Sequence, residues 1–68
     1  MDDFLKTNTD PRFKHLLGEK VEFISQDVRH IGILDFAGIN HLHGQFQVTA
    51  TRTPIWPVDP ETIKLFKL

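Results

Sequence analysis

The chain contains no cysteine, no tyrosine and a single serine, Ser25. Without cysteine there is neither a disulfide framework nor a thiolate zinc site. The scarcity of serine, cysteine and tyrosine also leaves no nucleophile beside a base at an informative spacing, and no glycine-rich phosphate loop is present. An excess of one charge is lacking too: 8 Lys+Arg stand against 9 Asp+Glu, a formal net charge of −1. A strong non-specific nucleic-acid binder usually carries a basic excess, so such a role here needs a local basic patch. No apolar run approaches membrane-spanning length, and the acidic, polar opening MDDFLKTNTD is unlike a signal peptide. These absences predict a soluble, cytoplasmic chain that is not an enzyme and has no cofactor, bound metal or membrane partner.

What is present is one small domain of 68 residues. A chain of this length buries roughly 60% of its extended surface, which leaves a thin stability margin. With disulfides excluded, very good packing or self-association must supply the rest, which predicts a homo-oligomer. Residues 1–10 read as a flexible lead-in, with Phe4 and Leu5 as an alternative docking motif; residues 11–68 read as a single domain. Asp10 caps a short helix that opens with Pro11, places Phe13, Leu16 and Leu17 on one face and ends at Gly18. From Lys20 the period changes to two. KVEFISQ alternates Val21 and Phe23 with Lys20 and Glu22, and Gln26-Asp27 reads as a turn. HIGILDFAG is a second β-rich run in which Gly32 is expected to mark a bulge or corner. After a loop, GINHLHG, the cleanest alternation follows in QFQVTATRT, with Phe46, Val48 and Ala50 on one side.

The stretch TPIWPVDPETIKLF places Pro54, Pro57 and Pro60 around Trp56, the one tryptophan. Proline cannot donate to a ladder, so Pro54 and Pro57 belong at strand ends or edges. Asp59-Pro60 repeats the cap seen at Asp10-Pro11, but Ile63 and Leu65 soon alternate with Lys64, which predicts one tight helical turn and a final strand. That strand is expected to return to the first and close a barrel. The fold class predicted is mainly β: a small five-stranded barrel with a short N-terminal helix.

In outline this resembles the Src-homology-3-like barrels and, through LLGEKVEFISQDVRHIGILDFAGIN, the Sm/LSm/Hfq group. The residues that carry the likeness are Gly18, Val21, Phe23, Gly32, Leu34, Phe36 and Asn40. Ala37 stands where that group has an acidic residue after the aromatic, and the apolar-Arg-Gly of its second motif is absent. The resemblance implies an oligomeric binding module for RNA or another single-stranded nucleic acid. The span from GEKV to IWPVDPETIKLF is also similar to the plasmid-borne, trimethoprim-insensitive dihydrofolate reductases, which implies an oligomeric reductase. Thr53-Pro54-Ile55-Trp56 occupies the Val-Gln-Ile-Tyr positions of that family, with proline in place of the amide side chain.

Candidate binding residues follow from side-chain chemistry. Asn40, His41 and His43 share the loop before the third strand, where an amide and two imidazoles can stack on and hydrogen-bond an unpaired base; the plainer alternative is a loop that only joins two strands, with Asn40 there for its turn. The histidine pair also has the spacing of a two-residue metal chelate, but two solvated loop histidines are the preferred reading. Arg29 and Arg52 are expected on paired strands, with Lys20 and Lys64 near them as a modest basic face. Trp56, flanked by prolines, is either the largest core residue or an interface anchor. The alternative to nucleic acid is a protein–protein adaptor of a phage or mobile element that uses this tryptophan–proline surface.

Overall fold

The computed structural model describes residues 9–67, so the lead-in expected at 1–10 lies outside it as far as residue 8, Phe4 and Leu5 included. The chain is mainly β. Strands β1 (Lys20–Ser25), β2 (Val28–Asn40), β3 (Gln45–Ala50), β4 (Thr53–Ile55) and β5 (Lys64–Leu65) form one antiparallel sheet in the order β4-β3-β2-β1-β5. β2 is the spine: its first half pairs with β1 and its second half with β3. No helix among the described residues is long and apolar enough to cross a membrane.

Two turns set the register. Gln26 and Asp27 both have positive φ, as do Thr51 and Arg52, and these two-residue turns match the right-handed twist of the strands they join. The first fixes Ser25 opposite Val28 and Phe23 opposite His30. The second fixes Ala50 opposite Thr53 and Thr49 opposite Pro54. Alternation then sends Val21, Phe23, Leu34, Val48 and Ala50 to the inner face, where Phe13, Leu16, Val58 and Ile63 cover them. Burying each aliphatic side chain contributes about 1.5–3 kcal/mol, so each residue of a core this small matters to stability.

The final strand returns as expected. Asp59 caps the turn Pro60–Thr62 by accepting from the Glu61 N–H (3.0 Å). β5 then lies beside β1, with Leu65 opposite Val21.

Three expectations are corrected. The sheet is not closed into a barrel: β4 pairs only with β3 and β5 only with β1. Pro54 removes a donor from the middle of β4, and β5 is two residues long, so neither edge supports a closing ladder. The predicted N-terminal helix is a 3-10 segment, Pro11–Leu16, capped by Asp10. Both its ends are tied to β2, by Asp10 N–H to the Ala37 carbonyl (2.7 Å) and Gly18 N–H to the Leu34 carbonyl (2.9 Å). A 3-10 helix rises further per residue than an α-helix, which suits a six-residue segment held at both ends. The strand irregularity falls between Leu34 and Phe36, at Asp35, and not at Gly32, which stays in register opposite Val21. Gly32 is needed for a different reason. A Cβ there would lie 2.7 Å from Thr51 Oγ1 and 3.0 Å from Ala50 Cβ, where the β3–β4 turn crosses β2.

Candidate functional site

The structure joins two sequence candidates that lie far apart in the chain. The imidazole of His43 stacks on the indole of Trp56, with ring centroids 5.2 Å apart and planes 17° from parallel. β2 runs on to Asn40, further than the expected loop allows, and the turn after it closes through Gly44 N–H to the Asn40 carbonyl (2.7 Å). Gly44 takes φ +67°, which suits glycine, and the turn holds His43 over the tryptophan. Trp56 is not core: it is 37% exposed, with one face against His43 and the rest open to solvent.

Asn40 is already occupied. Its Nδ2 donates to Gln47 Oε1 (2.7 Å) and its Oδ1 accepts from the Leu42 N–H (2.9 Å), so the side chain braces the turn. His41 is exposed beside it.

Trp56 also forms one wall of a groove of ≈ 360 Å³. Pro54 and Ile55 continue that wall, and Val28, His30 and Ser25, from the tip of the β1–β2 hairpin, form the other. His30 is held by stacking on Phe23, at 5.4 Å and 18°. The β1 side of the groove is shut by Ser25 Oγ donating to the Pro57 carbonyl (2.5 Å) and by Asp59 N–H donating to the Ile24 carbonyl (3.4 Å). Gln26 completes the lining, and none of the seven side chains is an acid, a lysine or an arginine. The volume lies at the low end of the ligand-site range, roughly 300–1,000 Å³. Such a surface suits an apolar segment with a few hydrogen-bonding groups.

The arginines do not meet as expected. Arg29, on β2, donates through Nε to Glu22 Oε2 (2.8 Å), and its Nη2 contacts the same oxygen. Lys64 reaches Glu22 Oε1 at 3.3 Å. Arg29 and Lys20 both lie over the Phe66 ring, at 5.7 and 4.9 Å from its centroid. Lys20, Arg29 and Lys64 therefore gather on the β1–β2–β5 face, but around a carboxylate. The Arg29 hydrogen bond, with help from Lys64, holds Glu22 below its ordinary value of 4.5. Arg52 is not part of this group: it sits in the β3–β4 turn, where its N–H donates to Asp35 Oδ2 (2.8 Å). Arg29 is opposite Ile24.

Sequence reasoning missed His30, Val28 and Ser25 as groove residues. A signal for them existed: a two-residue turn at Gln26–Asp27 makes partners mirror images about it, which puts His30 on the inner face with Phe23. Compared with protein-family models, curated proteins and solved structures, the chain matches none of them.

Proposed function

We propose that the protein is a small β-rich binding module that takes a segment of another protein into the groove beside Trp56. The observation that carries this reading is the aromatic- and proline-walled groove, free of acids, lysine and arginine, with a part-exposed tryptophan as its anchor. Tryptophan is the residue type most enriched among binding hot spots, because its large rigid face is desolvated at little entropic cost. Trp56 is also the one tryptophan in the chain, so its fluorescence reports the groove directly. Peptides selected on the protein from a displayed library of random short sequences should shift that emission. Trp56→Ala should weaken their binding by roughly 2 kcal/mol or more. Undiminished binding by the alanine variant refutes the reading.

A second reading, single-stranded nucleic acid, is favoured by the stacked His43–Trp56 pair, which is the kind of platform on which bases stack. Its weakness is electrostatic, since the nearest cation cluster is centred on Glu22 and the groove has no lysine or arginine. Retention on an RNA or single-stranded DNA column that falls steeply with added salt would favour it over the peptide reading. Self-association belongs to either proposal, because Ile24, Ile31 and Ile33 are exposed on the outer face of the β1–β2 hairpin. Light scattering measures it.

A further inference from the structure

We infer that the groove is a strand-addition site: an extended peptide segment of a partner protein pairs, main chain to main chain, with the free edge of β2 at Arg29–Ile31. Its alternate side chains then enter the groove beside Trp56. This rests on the protein-binding reading above and adds how the partner is held.

The direction of the main-chain groups follows from the register. In a hairpin closed by a two-residue turn, the flanking residues Ser25 and Val28 exchange hydrogen bonds. Antiparallel alternation then makes Phe23–His30 and Val21–Gly32 bonded pairs, and turns the N–H and C=O of the intervening residues outward. The β1 side shows this parity. Ile24 N–H donates away from β2 to Thr62 Oγ1 (2.9 Å), its carbonyl accepts from Asp59 N–H, and the Lys20 carbonyl accepts from Phe66 N–H (2.9 Å).

On β2 the same parity turns Arg29, Ile31 and Ile33 away from β1. Ile33 is satisfied: its N–H donates to Thr51 Oγ1 (3.0 Å) and its carbonyl accepts from Thr51 N–H (2.8 Å). Pairing with β3 begins only at Leu34–Ala50, because the chain reverses at Thr51–Arg52 and leaves the line of β2. Along Val28–Ile31, no strand among the described residues pairs with this edge. Arg29 and Ile31 thus present a donor and an acceptor each, two residues apart, the spacing of an extended backbone.

The other edges are less receptive. Thr49–Pro54 is the non-bonded pair between Ala50–Thr53 and Val48–Ile55, so it is Pro54 that faces outward from β4, and it has no N–H to offer. β5 has only two residues. An added strand beside β2 would send every second side chain to the face shared by Val28 and His30, and there the groove requires an apolar, uncharged residue.

The test uses peptides selected on the full chain from a displayed library of random short sequences. Amide exchange is measured with and without a selected peptide, beside the binding of Ile31→Pro. Proline at 31 removes one outward donor and no ladder bond, and it should weaken binding at least tenfold, in line with leaving a main-chain acceptor unpaired. In the unsubstituted protein, the Arg29 and Ile31 amides should exchange fast when free and become protected when the peptide is bound, whether or not the proline variant folds. If Trp56→Ala abolishes binding while Ile31→Pro does not, and those two amides stay unprotected, the groove stands and strand addition falls. If no peptide is captured, the protein-binding reading falls, and strand addition with it. A solution mass that halves in Ile31→Pro would assign the edge to a second copy of the chain and overturn the partner-peptide assignment.

Discussion

Replacing Gly32 by alanine tests the packing on which the site stands. The added Cβ would lie 2.7 Å from Thr51 Oγ1 and 3.0 Å from Ala50 Cβ, both inside van der Waals contact. Thr51 cannot rotate away freely, because its Oγ1 accepts from the Ile33 N–H (3.0 Å). Moving it forfeits that bond, about 1 kcal/mol, and pushing the β3–β4 turn off β2 adds an overpacking penalty of about 1–3 kcal/mol. Removing a glycine from a strand returns about 0.5–1 kcal/mol. The net expectation is a loss of about 2 kcal/mol, against a total of roughly 3–10 kcal/mol for a chain of this size. That corresponds to a fall in melting temperature of about 8–16 °C. Thermal denaturation of Gly32→Ala, Thr51→Ala and the double variant decides it. Once Thr51 Oγ1 is gone, Gly32→Ala should do less harm than in the parent, with a coupling of about 1 kcal/mol. An unchanged melting temperature, or strictly additive losses, refutes the close approach as the cause.

The Glu22 ion pairs predict acid sensitivity. Because the folded protein holds Glu22 below its ordinary 4.5, the contribution is complete above that value and is lost as pH falls through the lowered one. Glu22→Gln should therefore lose less stability than the parent on acidification through this window, as read by urea titrations at successive pH values; parallel losses contradict the assignment. Asp59→Ala should lower the urea midpoint by the equivalent of about 1 kcal/mol at unchanged slope, and Asp59→Asn should restore most of it. An alanine variant as stable as the parent would mean that the Asp59 cap is not what holds the turn before β5.

Local rules made the strands legible. Val21 and Phe23, then Phe46, Val48 and Ala50, alternate as sequence periodicity requires, and Asp59-Pro60 announces its turn through side-chain chemistry alone. The 3-10 geometry of Pro11–Leu16 was hidden because a helical pattern does not reveal that Asp10 and Gly18 are tethered to Ala37 and Leu34. Gly32 illustrates a related limit: a strand glycine signals either a bend or a close neighbour, and only the path of Thr51 decides which. Of the candidate site, Trp56 and His43 were recognisable by residue type, but their stacking depends on two turns in different hairpins. Asn40 as a turn residue is legible from its type, but its bond to Gln47 is not, since Gln47 reads in sequence as an outward polar position.

The paired turns have a consequence for how this protein can change. Gln26, Asp27, Thr51 and Arg52 all adopt left-handed backbone angles, and none is glycine. Gln26, Thr51 and Arg52 each forgo about 1 kcal/mol relative to a residue at ease there, so a few kilocalories lie unclaimed in two turns. Glycine at Gln26 would recover part of that reserve but would remove a groove-lining side chain, whereas Asp27 lies outside the lining. Thr51 is less negotiable, since its hydroxyl accepts from Ile33. The fold thus has headroom for drift elsewhere, and its first hairpin is the natural place for compensating substitutions to arise.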